Sequence, residues 1–133
     1  SRLGIKKKEI YLIELNRRPK TIICDIDGTI LKHHGSLNLQ YTNKPVVLEG
    51  VIEKIAEWDS KGYNIILITG RRESMRNKTH EHLEVLGIFY DQLIMGVGGG
   101  ERVLINDLKP NCDKATAISI NIVRNKGIKN LEV

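Results

Sequence analysis

The sequence predicts an α/β fold built on a parallel sheet, and three observations predict it. Short apolar runs at Thr21–Asp25, Tyr63–Thr69 and Arg102–Asn106 have the length and bounding of buried strands. Helical patterns separate them, which is the mark of β-α-β units. Each run also ends in polar residues, and in such sheets the C-terminal strand ends line one ligand-binding edge.

The chain is organised around T-I-I-C-D-I-D-G-T-I-L, Thr21 to Leu31. Asp25 and Asp27 stand at the exit of the first strand. Two carboxylates there are costly unless something pairs with them, and a hard divalent cation is an obvious partner. Taken alone, the stretch reads equally as two turn aspartates ahead of Gly28. A polar loop, residues 32–47, follows and is too short for an independent lid. Leu48, Val51, Ile52, Ile55 and Ala56 recur at helical spacing, predicting a helix over about 48–60 that Lys61-Gly62 ends. Trp58 falls off that stripe and is expected at its margin.

Tyr63–Thr69 is the second strand and closes with Thr69-Gly70-Arg71-Arg72. A second helix is predicted over about 72–86, with Met75, Thr79, Leu83 and Leu86 on one face and Gly87 as its stop. His80 and His82 lack the spacing of a metal pair and read as surface residues. Tyr90–Met95 is a third strand, Gly96–Gly100 a loose connector, and Arg102–Asn106 a fourth strand closing with Asp107. Lys114–Arg124 alternates apolar and polar residues, as a half-buried edge strand does, although a helix also fits. Gly96–Gly100 is not a phosphate loop, because no G-K-[ST] follows it.

Composition narrows the classes. The 133 residues suffice for one core, 41% are apolar and 28% charged, and no apolar run approaches a membrane span. No signal-peptide pattern opens the chain, and the two cysteines, Cys24 and Cys112, make no disulfide framework. Cys24 reads as a small core residue, and a cytoplasmic location is expected. Residues 1–20 hold seven basic and two acidic side chains, whereas residues 21–133 hold fourteen of each. The net charge of +5 therefore belongs to a basic N-terminal arm, 1–20, ahead of the domain at 21–133. A neutral body argues against nucleic acid gripped across the whole domain.

The ordered set of D-I-D-G-T at 25–29, T-G-R at 69–71 and N-D at 106–107 resembles the haloacid dehalogenase-like (HAD) phosphohydrolase superfamily. The resemblance covers about Thr21 to Arg124 and is nearest to its small, cap-less type. It implies a three-layer Rossmann-like parallel sheet flanked by helices, with a minimal cap. It implies phosphomonoester hydrolysis through an aspartyl-phosphate, with Asp25 as nucleophile and Asp27 as general acid and then base. Gly28 would turn the chain with amides free for phosphoryl oxygens, beside Thr29. Thr69 and the Gly70 amide would bind the phosphoryl group, and Arg71 would clamp substrate. Mg2+ is implied, held by Asp25, the Asp27 carbonyl and Asp107.

One expected part is missing. The superfamily's lysine ahead of the last catalytic strand has no counterpart, since residues 87–105 contain no lysine. Lys109 is the first replacement and Arg102 the second. The expected substrate is a phosphorylated small molecule, such as a sugar phosphate. The alternative is a nucleic-acid end, because T-G-R-R-E-S with Arg76, Thr79 and Leu83 is similar to the phosphatase domain of polynucleotide kinase-phosphatases. A non-catalytic phosphate-binding module is the third reading. Without a large cap, coverage from a neighbouring subunit makes a homo-oligomer through the arm an expectation, and no membrane partner is foreseen.

Overall fold

The computed structural model of the chain describes residues 7, 9, 10, 13, 17–110 and 114–133. Most of the N-terminal arm, Tyr11 and Leu12 of its apolar patch included, and Cys112 lie outside them. The chain divides into two compact units, one of Lys20–Gly99 with Ile122–Val133, the other of Ser1–Pro19 with Gly100–Asn121.

The larger unit holds β1 (Thr21–Asp25), α1 (Leu37–Thr42), α2 (Val51–Ser60), β2 (Asn64–Ile68), a 3-10 turn at Glu73–Met75, α3 (Arg76–Val85) and β3 (Gln92–Ile94). The three strands form one parallel sheet in the order β1-β2-β3, with Asp25 opposite Ile68 and Ile68 opposite Ile94. This register brings the carboxylate end of β1 level with Thr69, directly beyond β2. The parallel α/β sheet with flanking helices is thus as the strand and helix patterns predict.

The core explains the helices. Val51, Ile55 and Trp58 of α2 and Leu83 of α3 are buried with Cys24, Ile65, Leu67 and Leu93 of the strands in one cluster. Burying side chains of this size stabilises by about 1.5–3 kcal/mol each. Trp58 is 2% exposed, so it belongs to the core and not to the margin of the stripe. The i, i+4, i+7 spacing of Val51, Ile55 and Trp58 places all three on one face. The apolar runs predict strands buried on both faces, yet Ile23 and Ile94 are about half exposed while Cys24, Leu93 and Met95 beside them are buried. The sheet is covered on the Cys24–Leu67–Leu93 side.

Gly62 and Gly87 follow their helices with φ of +74° and +73°, the left-handed geometry that ends a helix. The insert between β1 and α2 is not wholly loop. Ser36 accepts from the Leu39 amide at 3.2 Å and caps α1. Backbone bonds from Lys32 N to the Val46 carbonyl (2.8 Å) and from Leu48 N to that of Ile30 (2.9 Å) close the insert at its base.

Two predicted elements do not form. Arg102–Asn106 has irregular backbone, with Val103, Leu104 and Ile105 exposed, and Lys114–Arg124 is neither strand nor helix. An apolar run acquires strand structure only by hydrogen bonding to a neighbour, and among the described residues neither segment joins the ladders of the sheet. The second segment is in fact divided, its end from Ile122 belonging to the larger unit. Among the described residues no helix is long and apolar enough to cross a membrane.

Candidate active site

Ile26 N donates to the Ile68 carbonyl at 3.0 Å, and Thr69 N to that of Ile94 at 3.0 Å, so all three strand ends are tied where the polar residues begin. At this edge the structure brings together Asp25, Asp27, Gly28, Thr29, Thr69, Gly70 and Arg71. Gly28 has φ +96°, which only glycine adopts readily. Its amide and that of Thr29 donate to the carbonyls of Leu31 (2.7 Å) and Ile26 (3.2 Å), so neither is free for a phosphoryl oxygen as the sequence suggested. The Thr29 hydroxyl lies 3.5 Å from Asp25 Oδ2. Gly70 is needed for close approach, because a Cβ there would sit 3.1 Å from the Val97 carbonyl oxygen.

The centre of the site is Asp27. Its Oδ2 accepts from Thr69 Oγ1 at 3.0 Å and Arg71 Nε at 3.1 Å. Its Oδ1 accepts from Arg71 Nη2 at 2.8 Å and Gln40 Nε2 at 2.7 Å. Both carboxylate oxygens are therefore doubly bonded to donors, two of them from one guanidinium fork. Arg71 is 1% exposed, and its Nη1 reaches Thr79 Oγ1 at 3.2 Å and His82 Nδ1 at 3.3 Å. The sequence suggests a substrate clamp, but this guanidinium lies buried against protein groups. Thr69 is fully buried, and its hydroxyl also accepts from Arg71 N at 3.1 Å.

Three contributors to this network escaped the sequence reading. His82, expected at the surface, is buried; burial first, and then the Arg71 charge, hold its imidazolium pKa below the ordinary histidine value. Its spacing from Thr79, three residues on the same helical face, was the available signal. Gln40 of α1 is also buried, and it additionally donates to the Lys32 carbonyl and accepts from His34 N. Tyr41 places its ring 5.8 Å from the Arg71 guanidinium carbon and accepts from Arg72 N at 3.3 Å. No sequence pattern marks Gln40 or Tyr41, since only the fold of the short insert presents the first to Asp27 and the second to Arg71.

Cys24 is a core residue as expected; burial, reinforced by the neighbouring Asp25, pushes its thiol up to about 12. Asp107 and Lys109 stand in the smaller unit. There Lys109 Nζ pairs with Asp107 Oδ1 and holds that exposed carboxyl below its usual pKa, and Asn106 Nδ2 donates to Thr116 Oγ1 at 2.7 Å. Among the described residues no three His, Cys, Asp or Glu side chains cluster as a ready metal cage. The donors on the 25–27 loop are nevertheless all oxygen, and Mg2+ keeps several waters and needs only one or two carboxylates. The donor chemistry fits that ion.

Comparison with known proteins points to one family. The family model described as the polynucleotide kinase PNKP phosphatase domain matches residues 19–102, ending ahead of Asn106-Asp107. A solved structure of a Pnkp1/Rnl/Hen1 complex is similar at 30% identity over 60% of this chain, with a TM-score of 0.53. One of the Pnkp1/Rnl/Hen1 RNA repair complex is similar at 27% identity over 70% of this chain, with a TM-score of 0.51. This chain spans 28% of the length of each of those chains. No curated protein matches. A parallel sheet that ends in Asp25 and Asp27, with Thr69 and Arg71 on the latter, and a model match over most of the chain make it a member of the PNKP phosphatase-domain family of HAD phosphatases.

Proposed function

We propose that the chain hydrolyses a phosphomonoester through an aspartyl-phosphate on Asp25. The observation that carries this is the placement of the two aspartates at one strand end. Asp25 closes β1 with the Thr29 hydroxyl 3.5 Å from its Oδ2, and Asp27, two residues on, is fixed by Thr69, Arg71 and Gln40. An Asp25 oxygen attacks phosphorus, the bond from phosphorus to the ester oxygen breaks, and the leaving oxygen takes a proton from the Asp27 carboxyl. Water then gives a proton to the Asp27 carboxylate and attacks phosphorus, which frees phosphate and restores Asp25. The bonds from Thr69, Arg71 and Gln40 fit the second step, because they hold Asp27 as an acceptor. For the first step Asp27 exchanges one of these donors for a proton. Mg2+, held by Asp25 and the Asp27 carbonyl, would neutralise charge between nucleophile and phosphate.

For the substrate, the charge-neutral body favours a phosphorylated small molecule, such as a sugar phosphate, in the cytoplasm. The family match favours a second reading, a phosphorylated nucleic-acid end. Turnover of p-nitrophenyl phosphate with and without Mg2+ tests the chemistry, and Asp25→Asn is expected to abolish it with the fold intact. Equal activity in wild type and Asp25→Asn sinks the assignment. A panel of sugar phosphates and 3′-phosphorylated oligonucleotides separates the substrates, since only the latter should show steep salt dependence.

A further inference from the structure

A phosphate dianion beside Asp25 needs a cation, and the larger unit's buried arginine is not available for it. All the polar nitrogens of Arg71 face Asp27, Thr79 and His82. The C-terminal segment presents another. The stem of Arg124 lies across Gly28: from the position of a Cβ on that glycine, Arg124 Cγ is 3.2 Å away, Nε 3.7 Å and Cδ 3.8 Å. Arg124 is exposed and forms no ion pair among the described residues.

Its placement is built, not incidental. Asn125 N donates to the Gly28 carbonyl at 2.8 Å, within the D-x-D-G-T loop itself. The Asn125 side chain accepts from His33 N at 2.7 Å and donates to the His33 carbonyl at 3.2 Å. To do so Asn125 takes φ +64°, a left-handed conformation that asparagine tolerates better than most residues. Further along, Ile128 is buried in the core and its amide donates to the Glu49 carbonyl at 2.8 Å, while Gly127 packs against the Glu49 backbone. The segment is thus fastened to the nucleophile loop, to the insert and to the start of α2. Arg124 is the basic residue it delivers.

We propose that Arg124 is the phosphate-binding cation of this site, contacting the phosphoryl group presented to Asp25. This rests on the phosphatase reading, and a guanidinium suits the role because its fork matches phosphate oxygens. The test uses the full chain and the variant Arg124→Met, which keeps an apolar stem over Gly28 and removes the charge, with Arg124→Lys as the conservative change. Inorganic phosphate binding by calorimetry and p-nitrophenyl phosphate turnover are measured side by side, with circular dichroism to verify folding. Arg124→Met should lose about 10-fold or more in phosphate affinity and about 100-fold in kcat/KM. Arg124→Lys should recover part of both, and added guanidinium should partly restore an Arg124→Ala variant, which a merely structural role would not produce. A folded Arg124→Met that binds phosphate within about twofold of wild type overturns the proposal. If wild type proves inactive but its phosphate binding still depends on Arg124, the phosphatase reading falls and this one stands.

Discussion

Arg71→Met tests the reasoning about Asp27 most directly. The substitution removes two guanidinium bonds at 2.8 and 3.1 Å and leaves a carboxylate that is 15% exposed with only Thr69 and Gln40 as donors. Removing one partner of a buried ion pair costs about 3–5 kcal/mol, and the partial exposure of Asp27 puts this case near 3 kcal/mol. For a chain of 133 residues, each kcal/mol shifts Tm by roughly 3–5 °C, so a fall of roughly 10–15 °C is expected by far-UV circular dichroism. Arg71→Lys keeps the charge but loses the fork and should fall in between. In a double-mutant cycle, Arg71→Met in an Asp27→Asn background should cost about 2 kcal/mol less than in wild type, because no carboxylate is then stranded. A Tm decrease under about 3 °C, or strictly additive effects, would refute the view that Arg71 serves Asp27.

The remaining predictions concern His82 and the C-terminal segment. The folded pKa of His82 lies below its unfolded value near 6.5, so the unfolded chain binds more protons in that window. The stability it contributes is complete above the unfolded value and is lost as pH falls toward and through the folded one. Thermal melts between about pH 7.5 and 5.5 should therefore show Tm falling, and His82→Gln should flatten the slope; an unchanged slope counts against the burial of a neutral imidazole. Gly127→Ala places a Cβ against the Glu49 backbone at φ +80° and should cost about 1–3 kcal/mol in urea unfolding. Gly87→Ala, with φ +73° but open space around it, should cost clearly less, and equal costs would remove the argument for a fastened segment.

By itself the sequence determined the parallel α/β arrangement from β1 to β3, the positions of α2 and α3, and the strand-end placement of Asp25, Asp27, Thr69 and Arg71. These are local matters, since apolar run length, helical spacing and a glycine stop act within a few residues. Tertiary structure alone decided what those side chains face. Arg71 turns inward because Asp27 offers a carboxylate across the β1–β2 register, and Thr79 and His82 complete its cage from α3. Gln40 and Asn125 bond into the site from 13 residues beyond Asp27 and 92 beyond His33, separations at which no periodicity speaks. The strands expected at Arg102–Asn106 and Lys114–Arg124 failed for the same reason. Apolar alternation states what a segment can pair with, whereas a strand exists only where a neighbouring edge supplies the hydrogen bonds.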